Sequence, residues 1–433
     1  MIHNILSNRS CCPTSPLFTS SRPSTASLNV SHIVFGITSS SNTWPARRTL
    51  VESWWRPNLT RGYIFLDSVR PNYFPWPPSS PPFRVSENTT RYKDYDMHKA
   101  QQAIRMVLTI VELVKDEKAR WFVMMDDDTV IFVDNLVEVL GKYDHRRYFY
   151  VGASSESISS NFFHSFEMAF GGGGYALSRP LAEALAKNMD ICIRRYPTLY
   201  GSDHIVQSFA ADFGVSLTQE KGFLQIDLHR DISGFLSALP QSLLLSLHHF
   251  DAAEPIFPFM TREQSLAHLM KAAKTDESRL LQQTICYHVA HNWTVSISWG
   301  YSVQVYDGFR QPSVLQRPLE KFIPWTRVAK PPYMFHTRHP CEATRVLFFD
   351  SVEEINGTHI VTSYNRTSPR RCRAYPSRAD QTADRALMVR VVSPTRRYSE
   401  AERRRECCDI TYEAGTNTTD VRLRDCLEDE ILA

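Results

Sequence analysis

The apolar run Trp121-Phe122-Val123-Met124-Met125 stops at three successive carboxylates, Asp126, Asp127 and Asp128, followed by Thr129. An apolar run ended abruptly by charge predicts a buried central strand. Its carboxyl end delivers acids into a crevice, where open α/β sheets bind their ligands. Three adjacent acids repel one another unless a cation lies among them, and hard oxygen ligands favour Mg²⁺ or Mn²⁺. Such an ion recruits phosphate oxygens, so a nucleotide diphosphate is the ligand this arrangement suggests. The alternative is that Asp128 and Thr129 cap a helix while the other acids are solvated.

The flanking pattern belongs to an α/β chain. Ser31-His32-Ile33-Val34-Phe35-Gly36-Ile37 predicts a first buried strand, a polar turn covers 38–42, and 45–55 has helical spacing with Pro45 suited to its first turn. Tyr63-Ile64-Phe65-Leu66, closed by Asp67, predicts a second strand, and such β-α-β units imply parallel pairing. Prolines between 71 and 82 make a loop. An amphipathic helix over 98–118, with Ile104, Leu108, Val111 and Val114 on one face, leads into the acid-bearing strand. A short strand at 148–152 and a helix at 180–188 follow. Beyond 258 the pattern changes to a helix at 263–274 and strand-like pieces at 293–306 and 345–352. The lead, 1–30, is expected to be disordered, and the arginine-rich tail from 366 poorly ordered.

The chain has 433 residues, enough for a large catalytic domain with an appendage. Its 49 basic and 46 acidic side chains leave +3, too even a balance for a nucleic-acid binder. None of the nine cysteines shows CxxC spacing, which argues against structural zinc. Six of them, Cys286, Cys341, Cys372, Cys407, Cys408 and Cys426, crowd the last third, compatible with disulfides in an oxidising compartment, with pairing left open. Sequons at Asn8, Asn29, Asn58, Asn88, Asn292, Asn356, Asn365 and Asn417 fit the secretory pathway. No stretch approaches the roughly 18 to 20 apolar residues of a membrane span, and 1–29 lacks the apolar centre of a signal peptide. A lumenal protein would therefore have its targeting segment missing from this chain.

Three further motifs carry chemistry. Gly171-Gly172-Gly173-Gly174, flanked by Phe170 and Tyr175-Ala176-Leu177-Ser178, predicts close approach of a strand to a sugar or another backbone, against the alternative of a flexible turn. Asp203 opens a helix after Gly201-Ser202, and serves either as a cap or as a general base kept ionised by the helix amino terminus. His248 and His249 follow a leucine-rich segment. On a strand they point to opposite faces, so one imidazole enters a given site, where it would favour Mn²⁺.

In this order, with Trp121 to Thr129, Phe170 to Ser178 and Gly201-Ser202-Asp203, the chain resembles the Fringe-like and β-1,3-galactosyltransferase-like glycosyltransferases, most closely the plant Fringe-related group. The resemblance covers about 31–258. Ser298-Trp299-Gly300-Tyr301-Ser302-Val303 and Tyr333-Met334-Phe335-His336-Thr337-Arg338 resemble that group's carboxy-terminal extension, 259–365.

The resemblance implies an α/β GT-A (Rossmann-like) fold, a UDP-sugar donor, Mn²⁺ with Mg²⁺ possible, inversion, a glycan or glycoprotein acceptor, and a membrane-anchored location in the Golgi lumen. It makes Asp128 the principal metal carboxylate and His249 the second ligand, with His248 as substitute. Asp126 and Asp127 fall near the ribose and donor sugar, Gly172 and Gly173 beside the donor, and Thr38, Arg47 and Asp67 around the nucleotide. Asp203 matches the catalytic carboxylate, while Ser202 departs from the family's usual pair of acids. The competing expectations are a catalytically silent carbohydrate-binding protein on the same fold and a two-metal phosphohydrolase.

Overall fold

Strands β1 (Ile33–Thr38), β2 (Arg61–Leu66), β3 (Phe83–Val85), β4 (Trp121–Asp126), β5 (Tyr150–Gly152), β6 (Tyr175–Ser178) and β7 (Leu217–Gln219) form one sheet in the order β3-β2-β1-β4-β6-β5-β7. The structure is a computed structural model that describes residues 27–92, 98–199, 201–238, 242–325, 332–343, 345–366, 382–398 and 405–431. The disordered lead expected at 1–30 lies outside them up to residue 26.

β3, β2, β1 and β4 run parallel, whereas β6 pairs antiparallel to β4 and to β5. All residues of β1, and of β4 up to Met125, are buried because both sheet faces are covered. Val51 and Trp54 of the helix Trp44–Trp54 pack on one side, and Ile104 and Leu108 of His98–Leu113 on the other. That second helix ends at Leu113, five residues short of the predicted stop, and Asp116 beyond it pairs with Arg61. Register brings Thr38 opposite both Phe65 and Asp126, so β1, β2 and β4 end level and build one crevice edge.

The second sheet has eight strands: β8 (Gln283–His288), β9 (Trp293–Ser298), β10 (Ser302–Asp307), β11 (Val346–Ile355), β12 (His359–Arg366), β13 (Met388–Pro394), β14 (Cys407–Glu413) and β15 (Thr418–Arg424), in the order β8-β9-β10-β11-β12-β13-β15-β14. The sheet curls until its edges meet, since Cys286 of β8 is disulfide-bonded to Cys408 of β14 with Cα atoms 5.9 Å apart. A second disulfide joins Cys407 to Cys426.

The tail is therefore not a poorly ordered segment from 366 onward. β13, β14 and β15 lie within it, with Val389, Val391, Val421 and Leu423 buried and Arg390 paired outward to Asp420. Alternating β-branched residues outweigh the arginine content that suggested disorder. Its remaining stretches at 367–381 and 399–404 lie outside the described residues. Nor is the boundary at 365 a structural one, because one sheet crosses it. The extension also reaches back to the segment before 258, where Leu228–Arg230 pairs antiparallel with Phe322–Pro324.

Candidate active site

The three acids at the end of β4 have three different environments. Asp126 accepts from the Thr38 hydroxyl at 2.9 Å, and burial together with the charge of Asp128 pushes its carboxyl up to about 7. Asp127 accepts from Ser39 at 2.6 Å, Thr43 at 3.0 Å and Arg47 at 2.9 Å; burial nevertheless raises it. Asp128 meets Arg47 at 2.9 Å and His248 at 3.1 Å. Burial opposes its ionisation, but the His248 hydrogen bond and the two positive partners outweigh that and hold it at about 2. Neither Asp128 nor Thr129 caps a helix, since the next one starts at Val133 with Phe132 as its cap.

Arg47 also reaches Asp251 at 3.2 Å, so one guanidinium spans three carboxylates. Asp67, at the end of β2, accepts the Ser41 amide at 2.6 Å and pins the turn after β1. Burial works against the Asp67 carboxylate, yet the Ser41 donors lower it below the usual range.

The two histidines do not point apart. The strand ends at Leu247, and His249 adopts φ of +52, so its ring folds beside that of His248 with centroids 3.7 Å apart. The expectation that only one could enter the site fails for this reason. His248 Nδ1 lies 3.2 Å from the Gln225 carbonyl and His249 Nδ1 3.3 Å from the Ile226 carbonyl. Donation from Nδ1–H to a carbonyl leaves His249 Nε2 with its lone pair, the usual preparation of a metal-ligating imidazole, whereas His248 Nε2 donates to Asp128 at 3.1 Å and would exchange that proton for a cation. One ligand atom each from Asp128, His248 and His249 falls within 4.8 Å of the others. Burial and the neighbouring His248 lower His249 to about 4, so it is neutral at physiological pH. For His248 burial pulls down, and the Asp128 contact more than compensates. A carboxylate and two imidazoles fit a divalent transition-metal ion.

The four glycines form a tight turn before β6 rather than part of the strand. A Cβ on Gly172 would lie 2.1 Å from the His248 ring, and one on Gly171 would lie 3.0 Å from Asp203. The close approach is thus made to two side chains of the site. Gly173 donates to Gln225 at 2.7 Å, and Thr129 donates to the Gly172 carbonyl at 2.6 Å.

Asp203 lies in the first turn of the helix Ser202–Asp212 without capping it. It accepts from the Gly171 amide at 2.9 Å and the Ser202 hydroxyl at 2.8 Å. Ser202 thus orients the carboxylate from the position where the resemblance led us to expect an acid. Asp203 and His249 line one cavity of about 240 Å³, together with Gln225, Asp227, His164 and Trp325.

The structure therefore links Thr38, Arg47, Asp126, Asp127, Asp128, Gly172, Gly173, Asp203 and His249, with His248, in one run of contacts, while Asp67 joins it only through the turn after β1. Ser39 and Thr43 escaped notice because small hydroxyls in a turn carry no distinctive spacing. Gln225, Asp227 and Trp325 did so because only tertiary pairing brings them in.

The parallel-stranded sheet covered by helices on both faces is a Rossmann-like, GT-A-type α/β fold. Residues 28–208 match the Fringe-like family. Residues 160–408, more than half the chain, match the family described as "Protein of unknown function, DUF604", and the chain belongs to that family. No curated protein sequence matches it. Among solved structures it is similar to the glycosyltransferase GlyE of Streptococcus pneumoniae TIGR4, at 11% identity over 45% of this chain and 48% of that one, with a TM-score of 0.29. It is also similar to the mannosyltransferase PcManGT from Pyrobaculum calidifontis, solved with GDP-Man and Mn2+, at 8% identity over 45% of this chain and 55% of that one, with a TM-score of 0.29. The match thus spans about half the length of each, and a likeness this slight transfers no ligand or residue role.

Proposed function

We propose that the chain is an inverting glycosyltransferase that moves a hexose or N-acetylhexosamine from a UDP-sugar to a hydroxyl of a glycan or glycoprotein acceptor, dependent on Mn²⁺. The observation that carries this reading is the turn at Gly171 and Gly172, one residue touching Asp203 and the next touching His248. On this reading Asp203 would accept the proton and Asp128, His248 and His249 would bind the cation, with Asp203 and His249 lining a common cavity.

In such a transfer the acceptor oxygen attacks the anomeric carbon as the bond to the diphosphate breaks on the opposite face. Asp203 takes the acceptor proton, and the Ser202 and Gly171 donors keep it oriented. Asp128, His248 and His249 would hold the divalent ion, which when bound offsets negative charge on the departing UDP. Arg47 is placed to follow that charge, since it already spans Asp127, Asp128 and Asp251. Thr38 and Asp126 shape the floor beside the donor.

Among the described residues the only other group of three metal-type donors is Cys407, Cys426 and Glu430, and its two cysteines are bonded to each other. A two-metal phosphohydrolase would need a second donor group, and among the described residues none stands free of disulfide bonding. We place the protein in the Golgi lumen as a membrane-anchored enzyme, a reading that the two disulfides favour. No helix among the described residues is long and apolar enough to cross a membrane.

The test is a panel of UDP-sugars assayed for UDP release with and without Mn²⁺. Turnover of at least one donor that stops on chelation supports the proposal. Asp128→Ala should abolish metal-dependent UDP binding, and normal UDP binding by that variant would remove Asp128 from the ligand set. Release of inorganic phosphate instead of UDP would mark a hydrolase.

A further inference from the structure

His249 is an unusual residue to rely on as a ligand. Its backbone lies in the left-handed region, which a non-glycine residue occupies only when its surroundings hold it there. The strand that could have fixed it ends two residues earlier, and its own ring has one hydrogen bond to a carbonyl, at 3.3 Å. What does hold the ring comes from the carboxy-terminal extension. The Trp325 indole lies flat against it, with centroids 4.1 Å apart and planes 5° from parallel. The opposite face of the indole is covered by His229 at 4.2 Å and 14°. His229, Trp325, His249 and His248 thus form a continuous stack that ends in the contact between His248 and Asp128.

The stack is anchored at the backbone. The Trp325 amide donates to the Asp227 carbonyl at 2.8 Å, directly after the antiparallel pairing of Leu228 with Pro324 and His229 with Ile323. The strand that supplies Trp325 therefore belongs to the extension, while the strand it pairs with follows Gln225 and Ile226, whose carbonyls hold the two imidazoles.

We propose that Trp325 is the positioning residue that keeps the His249 imidazole in its ligating orientation, so that the divalent-cation site is completed by the carboxy-terminal extension. The inference rests on the metal reading above. A flat aromatic surface pressed on a neutral imidazole restricts its χ rotation without competing for Nε2, and that lowers the ordering cost when an ion binds. Residues 31–258 alone would supply Asp128 and His248, but leave the third donor without its stacking partner.

The experiment is a Mn²⁺ titration of the full chain, followed by the electron paramagnetic resonance signal of free Mn²⁺, which needs neither donor nor acceptor. Trp325→Ala should weaken binding by about 10- to 100-fold, the range seen when outer partners of metal ligands are removed. Trp325→Phe, which keeps a ring on His249, should bind close to the parent chain. Trp325→Leu, which keeps apolar bulk without a plane, should behave like the alanine variant, and separates stacking from simple filling. In a His249→Ala background, Trp325→Ala should cost nothing further, because its effect passes through that ring. Unchanged Mn²⁺ affinity in Trp325→Ala, or full additivity with His249→Ala, overturns the inference. Absence of Mn²⁺ binding by the parent chain would instead overturn the metal reading, and the inference with it.

Discussion

The main-chain amide of Gly171 donates to the Asp203 carboxylate at 2.9 Å. The carboxylate is therefore held from outside its own helix, by the same turn that backs the His248 ring. Asp203→Asn should keep the Gly171 bond through its amide oxygen and donate its NH2 to the Ser202 hydroxyl, which turns to accept, so the local geometry is kept while the proton acceptor is removed. Turnover should fall by about 10²- to 10⁴-fold, with Mn²⁺-dependent UDP binding retained. Parallel kinetics and UDP calorimetry check this. A variant that keeps its turnover would show that another group takes the proton.

Gly172 is a second sensitive point, and for a steric reason alone. A methyl group there would stand 2.1 Å from the Cε1 atom of His248, and 2.5 Å from both ring nitrogens, so the imidazole must leave its place. At Gly173 the nearest neighbour would be 3.2 Å away. Gly172→Ala should therefore weaken Mn²⁺ binding about tenfold or more, as loss of a ligand's support does. Gly173→Ala should do far less, and equal affinities for the two variants would show that His248 is not part of the site.

The features legible in the sequence were those that chemistry forces into short stretches. A strand buried on both faces must be apolar throughout, so β4 and its acidic end stood out, as did the parallel beginning at β1 and β2. The glycine turn and Asp203 were visible as residue types out of keeping with ordinary helix or strand. The facing of the two histidines was misread because φ at 249 is a tertiary property: nothing in Leu247-His248-His249-Phe250 announces a left-handed residue. Trp325 was invisible because 76 residues separate it from His249, and only the pairing of Leu228 with Pro324 closes that distance. The tail was misjudged on composition, where arginines such as Arg390 and Arg424 point outward to acids while the alternate residues are buried.

Glu277 gives the fold a pH dependence of its own. It is buried beside the helix Val133–Leu140, accepts the Asn135 amide at 2.8 Å and meets Arg56 at 3.3 Å. Burial dominates and pushes it up to about 7. Folding therefore favours the protonated form, and its contribution is complete below the unfolded pKa of about 4.3 and lost as pH rises through 7. Glu277→Gln stays neutral and keeps an oxygen for Asn135. Thermal melts from pH 5 to 8 should show the variant gaining stability relative to the parent as pH rises, by up to about 3 kcal/mol. A constant difference across that range would show that Glu277 is ionised throughout in the folded chain.

The bond between Cys286 and Cys408 should matter more to stability than its neighbour between Cys407 and Cys426. The first links positions 122 apart in sequence and joins the two edges of the eight-stranded sheet, while the second closes a separation of 19. In the chain-entropy account, a cross-link constrains the unfolded chain more as its loop lengthens, from about 3 kcal/mol for short loops towards about 5 for loops of this longer size. Opening the longer one also frees two edge strands, whose unpaired backbone groups then face water or another chain. Denaturant titrations of Cys286→Ser/Cys408→Ser and Cys407→Ser/Cys426→Ser should rank the first as the less stable by about 1 to 2 kcal/mol, and as the more prone to self-association. The reverse ranking would mean that the sheet edges are held together by packing around Ile285 and Arg405 rather than by the covalent closure. In that case the extension would keep Trp325 in place even in a reducing compartment.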